Sequence, residues 1–184
     1  RLTLIDANDI EYPPALNVFD LGADSDKPSP LEQERRLNAA LEVVNFLMDS
    51  LLGSDLTSKQ NVVFRFIVQA LLAIPNATIL TLQELLAKDG YATYQPHLAK
   101  LEGVARTFFQ TEFNSSQFIK TREEVTRRLY GILGIRAWER MFTQPITKFD
   151  LFGEMNSGRV ILINSARALL QAKGCEAFGR FFLA

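Results

Sequence analysis

The run Val160-Ile161-Leu162-Ile163 constrains the fold more than any other feature of this 184-residue chain. It is continuous, apolar and mostly β-branched, which is typical of a parallel strand covered by helices on both faces. A second short strand is predicted from Leu2 to Ile5, near the other end of the sequence. Two strands do not form a stable sheet alone. The sequence therefore predicts a parallel pair whose other strands lie outside this chain or come from a partner.

Between these strands, apolar residues recur every three or four positions, the period of an amphipathic helix. The first helix has a complete start signal, with Ser29 as N-cap, Pro30 at the first helical position and Glu32 closing a capping box. It follows a polar segment from Leu21 to Pro30 that is rich in helix-breaking residues and is typical of a linker. Five later helices are predicted to start near these residues: Thr57, Thr81, Pro96, Thr121 and Ile135.

These elements predict a mainly α fold, in which a helical bundle is flanked by two short strands. Residues 30–150 form the predicted all-α domain. Residues 1–29 supply a strand and a loop, and residues 151–184 supply a strand and a helix. The chain opens on strand-like sequence and stops within helical sequence, so we expect a segment of a longer protein.

Several classes of activity are excluded by missing motifs. The sequence has neither the phosphate loop G-x-x-x-x-G-K-[ST] nor G-x-G-x-x-G, and it has no G-x-S-x-G nucleophile elbow. Its one histidine, His97, and one cysteine, Cys175, cannot supply a four-ligand zinc site or an internal disulfide. No apolar stretch reaches the roughly 18 to 20 residues of a membrane span. We therefore expect a non-enzymatic, cytoplasmic segment without a bound cofactor or metal and without membrane contact.

Charge is distributed unevenly along the chain. Residues 1–99 hold 7 Lys and Arg against 13 Asp and Glu, whereas residues 100–184 hold 13 against 8. The most concentrated basic feature is Arg122, Arg127 and Arg128 on one predicted helix, a candidate DNA-binding set. Glu123 and Glu124 lie beside these arginines, so a salt-bridged helix surface is the alternative.

Two other groups have both a structural and a functional interpretation. The acidic residues Asp6, Asp9 and Glu11 follow the first strand, where they form either a solvated turn or an oxygen-rich magnesium site. The phenylalanines at 108, 109 and 113 have helical spacing, which favours a core position over base stacking.

Arg167 follows the second strand by four residues. Groups just beyond the carboxyl end of a parallel strand are where α/β proteins bind ligands. An arginine at this point could reach a nucleotide held by a neighbouring subunit, and a solvent-exposed loop cation is the alternative.

Several stretches resemble the HerA/FtsK superfamily of DNA-pumping ATPases, especially TraG-type conjugative coupling proteins. Residues 4–9 (L-I-D-A-N-D), with Tyr12-Pro13 and residues 16–20 (L-N-V-F-D), are similar to a strand followed by D-P-x-D, P and L-N-x-F/L. Residues 121–129 (T-R-E-E-V-T-R-R-L) resemble T-R-x-x-V-x-x-R-L of the helical domain inserted in these proteins. Residues 158–181 resemble their G-K-V-V-L-V-N to G-R-F strand and helix.

The resemblance implies a RecA-like motor in which a hexameric ring hydrolyses ATP with magnesium and moves DNA in conjugative transfer through a type IV secretion system. The Walker A loop would precede Arg1 and the Walker B strand would follow Ala184, so neither catalytic half lies here. Expected partners are DNA, neighbouring subunits and a substrate-complex protein, with the parent associated with the inner membrane. Arg167 would act in trans as an arginine finger. A stand-alone helical adaptor that binds protein, without nucleotide or DNA, is the competing interpretation.

Overall fold

The structure, a computed structural model, describes residues 2–20, 29–32, 34–35, 37–39, 41–42 and 58–182. These ranges are mostly helical, with two short strands, as predicted, and the described residues between 30 and 42 are helical. None of the described helices is long and apolar enough to cross a membrane. The elements in chain order are β1 (Leu2–Asp6), α1 (Ser58–Ala73), α2 (Ile79–Leu86), α3 (Gly90–Leu98), α4 (Gly103–Thr111), α5 (Ser116–Leu133), α6 (Arg136–Phe142), α7 (Leu151–Asn156), β2 (Val160–Asn164) and α8 (Arg167–Phe181).

The two strands, about 150 residues apart in sequence, lie side by side and pair in parallel. Leu2 lies opposite Val160, and Asp6 lies opposite Asn164. The prediction of a parallel pair is therefore confirmed. Because side chains alternate along a strand, even-numbered residues of both strands share one face and odd-numbered residues share the other.

The odd-numbered face is partly covered, since Ile5 is buried and the Thr3 hydroxyl donates a 2.5 Å hydrogen bond to Glu154 on α7. The even-numbered face has no such cover from the described residues. We call this surface the open face, and its apolar members with their exposed fractions are Leu2 (62%), Leu4 (59%), Val160 (60%) and Leu162 (49%). The described residues therefore leave one face of β2 open, whereas its sequence predicts cover on both faces.

The predicted helix starts have mixed outcomes. The Ser29 capping box is confirmed, because the Ser29 N–H donates to Glu32 Oε2 at 2.9 Å and the Glu32 N–H donates to Ser29 Oγ at 3.3 Å. Thr57 lies outside the described residues, as do residues 21–28 of the predicted linker. The start near Ile135 is confirmed, since Ile135 is the N-cap of α6.

The start at Thr81 was wrong, since α2 begins at Ile79 with Thr78 as its N-cap. Thr78 Oγ1 accepts from the Leu80 N–H, and Thr81 closes the capping box by accepting from the Thr78 N–H. The start at Thr121 was also wrong. Ser115 accepts from the N–H groups of the first turn of α5, which leaves Thr121 inside the helix.

One helix from Pro96 to Phe113 was wrong as well, because the structure has two helices there. Pro96 lies inside α3, near its carboxyl end, and its ring has no N–H to continue the hydrogen-bond ladder. Gly103, at the start of α4, has a φ of +57°, a left-handed conformation that interrupts a continuous helix. The polypeptide therefore changes direction between α3 and α4.

The helical core is built around aromatic rings, as the spacing of the phenylalanines predicted. Phe108, Phe109 and Phe113 are all buried. Phe108 stacks on Phe66 of α1 with a ring-centroid distance of 4.8 Å and meets Phe118 of α5 edge-on at 5.0 Å. Such pairs stabilise by about 0.5–1.5 kcal/mol beyond their area burial. This aromatic cluster joins α1, α4 and α5.

A second contact fixes where the chain enters and leaves the helical part. The buried Asn17 amide donates to the carbonyls of Ala77 and Pro145, both at 2.8 Å. Thr147 Oγ1 accepts from the Asn17 N–H at 2.8 Å, and Asp20 Oδ2 accepts from the Thr147 N–H at 2.8 Å. We call this the Asn17 contact. It holds the segment after β1 against the segment that returns from α6 towards β2.

Candidate functional site

The first candidate site is the carboxyl edge of the sheet. Beyond the last strand pair, the Ala7 N–H donates to the Asn164 carbonyl at 3.2 Å, so the two strands stay together up to their ends. The Asn164 side chain then accepts from the Ala166 N–H at 3.1 Å and turns the chain into α8. Arg167 is the first residue of this helix and is exposed. The sequence-predicted arginine therefore lies just past the strand ends.

Backbone strain flanks Arg167 on both sides. Ala166 has a φ of +44°. Gln171, with φ 60° and ψ 178°, breaks α8 after its first turn. Both conformations are disfavoured for residues with a Cβ atom and cost about 1–3 kcal/mol each. Leu170 is fully buried and anchors the intervening turn. Within the described ranges no carboxylate forms an ion pair with Arg167, so its guanidinium is free to meet an anion.

The acidic residues after β1 lie along a groove of about 620 Å³. Asp6 Oδ1 accepts from the Asn8 N–H at 2.8 Å, and Asp9 Oδ1 accepts from the Tyr12 N–H at 2.7 Å. These carboxylates therefore stabilise the turn itself, as in the solvated-turn interpretation. In the parts of the chain that are described, no three His, Cys, Asp or Glu side chains are grouped to hold a metal ion.

The three candidate DNA-binding arginines on α5 have different surroundings. Arg122 is only 5% exposed, and its guanidinium lies 4.6 Å from the centroid of the Phe113 ring. Burial lowers the pKa of Arg122 below its usual value, and the neighbouring Glu123 partly opposes this shift. Its Nη1 donates a long 3.5 Å hydrogen bond to Asn114, and its Nε has no partner among the described residues. Arg122 is thus a packing residue between α5 and the loop that follows α4.

Arg127 is exposed, whereas Arg128 is half-buried and has an interaction partner. Arg127 lines a groove between the end of α2 and one face of α5. Lys88 and Tyr130 line the same groove, and sequence reasoning singled out neither. The spacing of Arg127 and Tyr130 places both on one helical face, a signal available in the sequence. No sequence pattern connects Lys88 with them, because α2 and α5 meet only in the folded chain.

The structure therefore separates two places of interest. Arg167 lies at the carboxyl edge of the sheet, and Arg127 lies on the helical part. No protein-family model, curated protein or solved structure matches this chain. What these residues can do must follow from their own geometry and chemistry.

Proposed function

We propose that this chain is a non-catalytic central segment of a ring-shaped, ATP-driven DNA translocase of the HerA/FtsK type, used in conjugative DNA transfer. Its two strands belong to a RecA-like sheet, and its helical part is the all-α domain inserted between them. The observation that supports this proposal best is the in-register parallel pair with an apolar open face.

Parallel strands are normally covered by helices on both faces, because their crossover connections place helices there. β1 and β2 pair only with each other among the described residues, so each has an outer edge with unpaired backbone groups. Exposed apolar edges of this kind promote aggregation unless they are paired or covered. Further strands and helices of a larger α/β domain would satisfy both requirements. A two-stranded remnant of a RecA-like sheet would have the same open surfaces.

The Asn17 contact supports an inserted helical domain. An insertion that leaves its host sheet undisturbed must begin and end at neighbouring points, because the host strands are neighbours. Asn17 lies 11 residues after the end of β1. Its amide bonds the Pro145 carbonyl, which belongs to the segment returning towards β2. The helical part is thereby tied to the sheet at its start and its end.

Arg167 is assigned the role of an arginine finger acting on a nucleotide of the neighbouring subunit. Its exposure and its position past the strand ends fit this role. The sequence has no phosphate loop, so ATP and magnesium would be bound by other parts of the parent protein. An arginine beside the transferred phosphoryl group stabilises the charge of the transition state, and its removal typically lowers kcat by about 10³–10⁵-fold.

DNA contact is assigned to the helical domain, through the exposed Arg127 and neighbouring cations. Arg128 has a partner within the fold, and Arg122 is buried against Phe113. A contact from these two residues would require the local packing to change.

The test uses mixed rings of the full-length parent. Arg167→Ala subunits lack the finger but keep their own nucleotide site. Subunits without the phosphate-loop lysine lack a working nucleotide site but keep Arg167. Each kind of ring alone should lose ATPase activity. Mixed rings should recover a fraction of it, because a finger acting in trans meets an intact site at some interfaces. Arg106→Ala, at an exposed arginine of α4, is the control and should leave the activity unchanged.

Full ATPase activity in Arg167→Ala rings would contradict the finger. Loss of activity without recovery in mixed rings would place its action in cis. If the parent gene lacks both a phosphate loop upstream of Arg1 and an apolar strand ending in Asp-Glu downstream of Ala184, the motor proposal is contradicted. In that case the adaptor is favoured, because the open face is also a surface on which another protein can dock.

A further inference from the structure

The groove between α2 and α5 is distinct from the carboxyl edge of the sheet. Its volume is about 350 Å³, near the lower end of the roughly 300–1,000 Å³ that small-ligand sites have. We call it the Tyr130 groove. Six residues form most of its lining: Leu86, Lys88, Glu123, Thr126, Arg127 and Tyr130.

The floor of the Tyr130 groove is mainly apolar. Leu86 is buried and supplies apolar surface. The hydroxyl oxygen of Thr126 is also buried and has no hydrogen-bond partner among the described residues. This hydroxyl is closed to solvent, so it belongs to the packing beneath the groove and is out of reach of a ligand.

The rim combines positive charge with an exposed aromatic ring. Lys88 and Arg127 are both exposed, and Glu123 contributes the one carboxylate of the described lining. Tyr130 is 60% exposed, which is unusual for a large ring next to a groove. Arg127 and Tyr130 are three positions apart on α5 and therefore lie on the same face.

We infer that the Tyr130 groove binds single-stranded DNA, with one base against the Tyr130 ring and the adjacent phosphates near Lys88 and Arg127. An aromatic ring beside a cationic surface is the arrangement with which proteins bind unpaired strands, because every base has a π face and every linkage has a charge. Bases inside a duplex are stacked on each other and cannot occupy the groove. This inference rests on the DNA contact of the proposed function and names its site.

An acidic peptide is the other anionic occupant, and the groove is less suited to it. A bound peptide needs partners for its backbone N–H and C=O groups. The lining of the groove is mainly apolar and the Thr126 hydroxyl is closed to solvent, so the groove offers few such partners at depth. A nucleobase instead presents a flat apolar face to Tyr130, and its polar edge can stay in water.

The experiment measures binding of fluorescently labelled oligothymidylate to the 184-residue chain by anisotropy at low and moderate salt. Competitors are duplex DNA, an abasic strand and a poly-glutamate peptide. Three variants alter the groove: Lys88→Glu, Arg127→Glu and Tyr130→Ala. Two variants serve as matched controls at exposed positions outside it: Arg106→Glu for the charge reversals and Tyr12→Ala for the aromatic deletion.

We expect Tyr130→Ala to weaken binding about tenfold, within the range measured for removal of one base–aromatic stack. Each charge reversal should also weaken binding. It should reduce the slope of the logarithm of the binding constant against the logarithm of the salt concentration by about one. The control variants should bind the labelled strand as tightly as the wild type does. Abasic and duplex DNA should displace the labelled strand less effectively than unlabelled oligothymidylate does.

Equal affinities of the groove and control variants would overturn the inference while leaving a DNA contact elsewhere on the helical domain. Tighter binding of poly-glutamate, lost in the same variants, would assign the groove to an acidic protein partner and overturn the DNA assignment. Absence of DNA binding by the wild type would also overturn it. The motor itself is judged separately, by the mixed-ring ATPase measurement.

Discussion

The helical bundle and the two-stranded sheet differ in how far the described residues bury their apolar side chains. In the bundle, Phe108, Phe113 and Leu129 are buried against neighbouring helices of the same chain. In the sheet, Leu4 and Leu162 are equally apolar and lie at neighbouring positions of a regular pair, yet both are about half exposed. Among the described residues, apolar side chains of the same type are therefore buried in one region and exposed in the other.

The two regions also differ in how their described residues are held together. The bundle has an aromatic cluster, helix caps and a tight entry and exit at Asn17. The sheet has correct pairing and register, but the described residues leave one face and both outer edges without cover. The pairing register is set by the two strands themselves, whereas burial of the open face requires another layer of structure packed on the sheet. Within the described residues, the sheet therefore has its pairing but lacks cover on one face.

The largest expected effect comes from the same substitution made in both regions. Leu129→Ala in α5, at a fully buried position, should lower the free energy of unfolding by about 2–5 kcal/mol, because it leaves a cavity in the core. Leu162→Ala on the open face should lower it by less than about 1 kcal/mol. Urea unfolding followed by circular dichroism measures both.

If the larger sheet of the proposed function buries Leu162, the two costs should become similar in the full-length parent. A small cost of Leu162→Ala in the full-length protein as well would contradict the idea that this face is covered.

The second prediction concerns the contact that joins the two regions. Asn17→Ala removes the amide that bonds the Ala77 and Pro145 carbonyls. The buried Ala77 carbonyl, left unpaired, should lower the free energy of unfolding by about 1–3 kcal/mol. Asn8→Ala, at an exposed position in the turn after β1, is the control and should change stability little. If both variants unfold at the same denaturant concentration, the Asn17 contact does not hold the regions together.

A third prediction tests the packing of α8, which follows β2, against α6 of the bundle. A Cβ atom at Gly174 would lie 2.5 Å from Trp138 Nε1 and 3.2 Å from Leu170 Cβ. Gly174→Ala should therefore destabilise the chain by about 1–3 kcal/mol through overpacking. Gly179→Ala, in the same helix, meets no atom within 4 Å and should stabilise by up to about 1 kcal/mol through helix propensity. Thermal unfolding of the pair gives the sign of each change.

The smallest effect is expected at the bundle surface. The Tyr94 hydroxyl donates a short hydrogen bond to Glu84, and burial together with this carboxylate raises the pKa of Tyr94 from 10.0 to about 12. Because the folded-state pKa is the higher one, the contact stabilises the bundle below pH 10 and is lost as the pH rises towards 12. The free energy of unfolding of Tyr94→Phe should therefore fall slightly less between pH 10 and 12 than that of the wild type. Tyr12→Phe, at an exposed tyrosine, should not.

The sequence predicted the elements better than their boundaries. Thr78 and Ser115 capped their helices in place of Thr81 and Thr121, since several Ser and Thr residues near a helix start can accept from its free N–H groups. At the candidate site, the position of Arg167 after β2 was readable, because it follows directly from chain order. The strain at Gln171 was not readable, since nothing in a Gln residue indicates a left-handed conformation.

The sequence by itself determined the helical period of the middle, the Ser29 cap and the two apolar strands, because each of these depends on residues close together in the chain. The tertiary structure alone decided that Arg122 is buried while Arg127 is exposed, and that Lys88 and Tyr130 share a groove. The physical reason is that burial and hydrogen-bond partners are set by elements far apart in sequence. The open face depends on both levels, because its apolar residues are present in the sequence and only the fold shows that the described residues leave them exposed.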